Sequence, residues 1–308
     1  METKACKKDF SRIGWRMLVS TILITMIQMG CQSLVLMFKP EWAENSDIML
    51  AAVMAPLYVI GFPLAFLLVR KKDAPVPERH SMKPWQIILA FMCAYGLLVV
   101  GNMVGLSLTT GIGLLKGDSV ENPLINVITG GNLWISAIYM VLLAPLFEEI
   151  LFRKLICDQT LRYGQGTAVV VSGMVFGLFH LNFNQFFYAF LIGCLFAFIY
   201  VKTGSIWYSV ILHMMVNFVG SVLGGLMMTS IDMESPVGMA VYAVYGICIY
   251  AIAIAGIVLL LVNKSKCKMQ AGEVTLEKGT RFRTVVLNPG MLLYCILCLG
   301  VMAAQAVL

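Results

Sequence analysis

Nine apolar runs, at approximately 17–38, 48–69, 85–107, 132–152, 166–181, 184–201, 205–225, 237–263 and 288–307, divide this chain of 308 residues. About 20 consecutive apolar residues cross a hydrocarbon core about 30 Å thick, so most of these runs are long enough to span a bilayer as helices. Only 12% of the residues are charged and 60% are hydrophobic, about half the charge share usual in soluble domains. With a mean hydropathy of +0.87, that excludes an ordinary soluble enzyme. The fold class is all-α: a polytopic membrane helix bundle of eight or nine transmembrane helices. The fifth run is short and is followed closely by the sixth, and the ninth lies beyond a long polar loop, which leaves the count open between eight and nine.

The loops carry an orientation signal. With the N-terminus in the cytoplasm and strict alternation, all but Lys39 and Lys116 of the 22 Lys and Arg residues fall on the cytoplasmic side, as the positive-inside rule requires. The net charge of +6 is then loop chemistry facing an anionic leaflet, and no nucleic-acid partner is implied. The first run spans a membrane by itself after Lys4, Lys7, Lys8, Arg12 and Arg16, which reads as a retained helix and not as a cleaved signal peptide. Nine dispersed cysteines make no disulfide framework. Minimal loops suit a bacterial cytoplasmic membrane. Three regions are expected: N-terminal helices and loops over 1–131, a core over 132–224, and C-terminal helices with a basic cytoplasmic loop over 225–308.

Within the core, "APLFEEILFRKLI" places Glu148 and Glu149 at the end of an apolar run, where an acidic residue costs roughly 2.5–3.5 kcal/mol near a bilayer centre. Glu149 and Arg153 are four apart and can pair on one helix face. Glu148 lies about 100° round the helix and has no such partner. A juxtamembrane charge cluster would explain the pair without function, but His180 and His213 also sit inside apolar runs, and His213 shares a helix face with Asn217. Glu148 lies sixteen residues before the turn at Gly164 and His180 sixteen after it, so their depths match if both helices run regularly. His213 lies roughly 13 Å from the turn at Gly204, at 1.5 Å per residue. Four polar groups on three helices can converge at a level nearer the cytoplasm.

A carboxylate, two imidazoles and an amide form a hydrolytic set. Glu148 can take a proton from water, one imidazole can hold that water, and the other can join the Asn217 amide in donating to an oxyanion. Alternatively, Glu148, His180 and His213 could hold Zn²⁺, which would acidify a bound water. The H-E-x-x-H spacing is absent, so a metal cofactor does not follow from the pattern.

At these residues the chain resembles the CPBP family of intramembrane proteases, also called the ABI or CAAX amino-terminal protease family. The pattern E-E-x-x-x-R, F-x-x-x-H, H-x-x-x-N appears in order as "EEILFR" (Glu148, Glu149, Arg153), "FGLFH" (Phe176, His180) and "HMMVN" (His213, Asn217). The resemblance covers about residues 132–224. It implies a membrane endopeptidase with its site open to the cytoplasmic side and a membrane-associated peptide or protein as substrate. Glu148 and His180 would activate water, His213 and Asn217 would stabilise the oxyanion, and Glu149, Arg153 and Phe176 would be structural support. Family members have been described both as metalloproteases and as glutamate-dependent enzymes, and some serve in bacteriocin immunity or peptide maturation. A non-catalytic immunity or scaffold protein and a proton-coupled transporter are the competing readings, the latter favoured by inverted repeats that the sequence lacks.

Overall fold

A computed structural model of the chain describes residues 2–277 and 279–307; Lys278, one of the basic loop residues counted above, lies outside them. The long helices are α1 (Glu2–Phe38), α2 (Ser46–Val69), α3 (Pro84–Lys116) and, after the short α4 (Pro123–Thr129), α5 (Leu133–Leu161). There follow α6 (Gln165–Phe179), α7 (Phe183–Thr203), α8 (Ile206–Ser230), α9 (Pro236–Lys266), the short α10 (Arg281–Val285) and α11 (Pro289–Val307). Among the described residues eight helices are long and apolar enough to cross a membrane. The protein is an all-α helix bundle and an integral membrane protein.

The run that falls short is the fifth, α6, only 15 residues long, or about 22 Å at 1.5 Å per residue. Its length is explained by its surroundings. Most of its residues are buried, so it is sheathed by protein and need not match the thickness of lipid. The first run also differs from its expected bounds: the helix begins at Glu2, not near Met17, and carries the basic N-terminal residues on its opening turns.

Two ends of the bundle have opposite character. At one end Asp9 accepts from Tyr163 Oη at 2.9 Å and lies 3.5 Å from Arg162 and 3.9 Å from Lys71. His80 N–H donates to Thr203 O, Gln165 N–H to Gln270 O and Val274 N–H to Arg162 O. These bonds gather the N-terminus, the 70–83 loop, both inner turns and the 264–280 loop into one basic face. At the other end Asn132 N–H donates to Asp47 at 2.6 Å, and Asn184 bonds Thr109 and the Glu121 carbonyl. Lys39 and Lys116 are on that side, with Glu41, Glu44, Asp118, Glu121, Asp232 and Glu234. Arg153 belongs to neither face. It was counted with the cytoplasmic loop, but it is fully buried.

Local chemistry sets the joints. Gly204, at φ 63°, ends α7 where a Cβ would meet the backbone carbonyls of Pro77 and Glu78, so glycine alone suits both the left-handed turn and the close approach. Gly173 on α6 packs against the backbone and side chain of Cys194 on α7, and this small-residue contact brings the two helices close. Three of the long helices contain four wide π turns between them, at Leu57–Gly61 in α2, Ile138–Leu143 and Ile150–Cys157 in α5, and Phe218–Leu223 in α8. Such turns often mark functional sites, and all four of these lie in α2, α5 and α8, which line the cavity described next.

Candidate active site

In α5 the Ala144 N–H bonds the Tyr139 carbonyl, a five-residue step. The next residue, Pro145, has no N–H to give, and the Met140 carbonyl receives the Asn217 amide of α8 at 2.7 Å instead. The neighbouring Tyr139 carbonyl accepts Tyr58 Oη of α2 at 3.2 Å. Proline thus frees the Met140 carbonyl to tie α5 to α8, and the Tyr139 carbonyl takes a second bond that ties α5 to α2, just ahead of the two glutamates.

Behind that joint lies a dry, fully satisfied ion pair. Arg153 and Glu149 side chains are both 0% exposed, with Arg153 Nε donating to Glu149 at 2.9 Å and its second guanidinium nitrogen at 3.2 Å. The third nitrogen donates to Ser172 Oγ at 2.8 Å, and Ser172 in turn donates to the Phe152 carbonyl. The guanidinium lies 4.9 Å from the centre of the Phe176 ring and 5.9 Å from that of Phe196, a cation–π enclosure. Glu149 accepts one further bond, from His213 Nδ1 at 3.1 Å.

That last bond orients the His213 ring. Donation from Nδ1 to a carboxylate leaves the neutral imidazole with a bare Nε2, and Nε2 lies 3.7 Å from Glu148 Oε2. His180 is set in the same way: Nδ1 donates to the Phe176 carbonyl at 2.9 Å, leaving its Nε2 as an acceptor. Phe176 stands between the two rings, edge-on to His180 at 4.9 Å and to His213 at 5.7 Å. His180 is not within a regular helix as the sequence suggested. It caps α6, and Leu181 follows at φ 55°. Asn182 stabilises this turn by donating to the His180 carbonyl and accepting from Gln185 N–H at the start of α7.

Glu148, His180, His213, Asn217 and Phe176 all line one cavity of about 410 Å³. Glu149 and Arg153 do not reach it. The Glu148 Oε2 atom is buried and has no hydrogen-bond partner among the described residues, whereas its sequence neighbour has three donor groups. A buried unsatisfied carboxylate oxygen costs stability and is a candidate reacting atom. Sequence reasoning missed Tyr58, Asn102, Gln185 and Tyr188, which also line the cavity. Their signal was the one used for the histidines, a polar group in or beside an apolar run, but no motif singled them out. Among the described residues no three His, Cys, Asp or Glu side chains cluster as a ligand set for a metal ion.

Residues 130–219 match the family model described as type II CAAX prenyl endopeptidase Rce1-like. Over this segment the chain is similar to the CAAX prenyl endopeptidase family. The matched segment runs from the start of α5 through Asn217, so every motif residue lies within it. "Putative membrane peptidase YdiL" of Bacillus subtilis (strain 168) is 31% identical over 80 residues. That match covers 25% of this chain and 32% of the relative, so the likeness is to about a third of the relative's length. No solved structure matches the chain.

The resemblance also implied a site open to the cytoplasmic side, nearer the basic loops. The cavity instead runs from the level of Glu148 and His213 towards α4, at the end away from the basic face. The reason is packing: the basic-side halves of α5, α7 and α8 are filled by Phe152, Ile156, Phe196 and Leu212, all buried without residual exposure.

Proposed function

We propose that the protein is an intramembrane endopeptidase that hydrolyses a membrane-associated peptide or protein by glutamate-activated water. The observation that carries this reading is the unsatisfied Glu148 oxygen in a cavity shared with two imidazoles whose Nδ1 atoms are already engaged. Water held by His180 Nε2 loses a proton to Glu148, and the resulting hydroxide adds to the scissile carbonyl carbon. One Asn217 N–H is bound to Met140, and the other donates to the oxyanion. The proton passes through Glu148 and His213 to the leaving amine as the C–N bond breaks. His213 is held for this transfer by Glu149, which Arg153 keeps in place. Proton transfer by a positioned group contributes about 10²–10⁴ in rate.

In this reading the protein sits in a bacterial cytoplasmic membrane with its N-terminus and basic face in the cytoplasm. Peptide maturation and bacteriocin immunity are the settings that suit it. The reaction needs no cofactor. Zn²⁺ on Glu148, His180 and His213 would supply an acidified water, but these three side chains do not cluster as a ligand set.

The test is a panel of quenched fluorogenic peptides with purified protein in detergent. Turnover should survive a strong zinc chelator and fall about 10²-fold or more in His180→Ala, at the low end of a lost acid–base group. Turnover lost to the chelator and restored by Zn²⁺ would replace the glutamate mechanism with a metal one. Absence of cleavage across the panel would favour a scaffold or transport role.

A further inference from the structure

Five helices agree on which way the cavity faces. In α8 the lining residues run from His213 through Val216, Asn217 and Gly220 to Ser221, and no described residue between Ile206 and Leu212 lines it. In α5 they are Met140, Ala144 and Glu148, and the remainder of the helix to Leu161 is excluded. In α7 they stop at Ile192, in α2 at Tyr58, and in α6 they begin only at Phe176. Each of these helices therefore contributes its half remote from the basic loops. Pro123, Leu124 and Val127 at α4 complete the wall at that far end. On the basic side the floor is the Arg153–Glu149 pair with the aromatic rings that enclose it.

The basic face collects nearly all the Lys and Arg of the loops, which sets it in the cytoplasm with a strong bias. Resting on the peptidase reading above, we infer that the site is loaded from the non-cytoplasmic side, so its substrate is a peptide segment that has been exported or that faces outward from the membrane. A cytoplasmic chain would have to pass the packed layer of Phe152, Phe196 and Leu212 to reach Glu148. An outward segment meets α4 and then the polar groups of the cavity, Asn102, Gln185 and Tyr188, before the catalytic carboxylate.

Accessibility can be read without any substrate. Gly220 lines the cavity and has open space where a Cβ would stand, so Gly220→Cys places a thiol inside it. Leu124→Cys reports on the mouth, and Arg79→Cys, exposed in the 70–83 loop, reports on the basic face. The probe is a membrane-impermeant maleimide on right-side-out and on inverted vesicles, with the parent chain as the blank for its exposed Cys248 and Cys267. Gly220→Cys and Leu124→Cys should label several-fold above the blank in right-side-out vesicles, and Arg79→Cys only in inverted ones. Labelling of Gly220→Cys only from the inverted side, or from neither side, would overturn the inference. A second arm adds a charged peptide that the purified protein cuts to the outside of both vesicle types. Cleavage by right-side-out vesicles alone supports the route, and cleavage by inverted vesicles alone refutes it. Failure of the purified protein to cut any peptide would count against the peptidase reading while leaving the labelling result intact.

Discussion

The half of the core nearest the basic loops and the half beyond it are built on different terms, and the boundary falls between two adjacent residues. On the basic side Glu149 has Arg153 and His213 as partners, and phenylalanine rings exclude water. On the far side Glu148 has an oxygen with no partner, in a cavity large enough for a peptide segment. A buried pair is strongly destabilising to break and nearly neutral to replace, so the sealed half is a clamp that fixes His213. The hollow half keeps a polar atom unsatisfied, as reacting groups often are. Mutations on the two sides should therefore fail in different ways.

The largest effect is expected in the clamp. Arg153→Met leaves the Glu149 carboxylate buried without its main partner, and the melting curve in detergent should record a loss of about 3–5 kcal/mol. Adding Glu149→Gln should recover part of it, as expected of coupled residues. Recovery cannot be full, because His213 loses its acceptor. An Arg153→Met protein as stable as the parent would break the distinction between the halves.

Asn217 sits on the joint and should show both phenotypes. Asn217→Ala removes an oxyanion donor, with kcat falling about 10²–10³, and strands the Met140 carbonyl at a cost of about 1–3 kcal/mol. A stability loss with unchanged turnover would make the residue a brace only. The smallest effect concerns the turn that presents His180. Leu181 holds a left-handed conformation that costs a non-glycine residue roughly 1–2 kcal/mol, so Leu181→Gly should relieve that strain, offset by lost packing of a half-buried side chain. The net change should stay within about 1 kcal/mol, with kcat within a few-fold; a tenfold loss of activity would show that the strain positions the histidine.

Much of this was legible in the chain. Apolar run length identified the bundle, and i,i+4 spacing paired Glu149 with Arg153 as the structure pairs them. The equal distances from Gly164 suggested that Glu148 and His180 lie near one another, and both line the cavity. What spacing could not carry was the direction of the cavity. Helical periodicity gives the face of a residue and its depth, but which half of a bundle is filled depends on how side chains from different helices pack, and no local pattern records that. The bond from His213 to Glu149 escaped for the same reason, being a contact between residues 64 apart. Pro145 was visible, yet its effect depends on the π turn before it, which propensity does not reveal.

The central claim is that two neighbouring glutamates have opposite jobs, and one paired measurement addresses it. Glu148→Gln and Glu149→Gln are each purified, and peptide cleavage and thermal unfolding are recorded on the same samples. Glu148→Gln should lose about 10²–10⁴ in kcat with a melting temperature equal to the parent's or higher, since an unsatisfied buried group has been neutralised. Glu149→Gln should lose stability and activity together. Equal, folding-linked losses at both positions, or full activity in Glu148→Gln, would contradict the account.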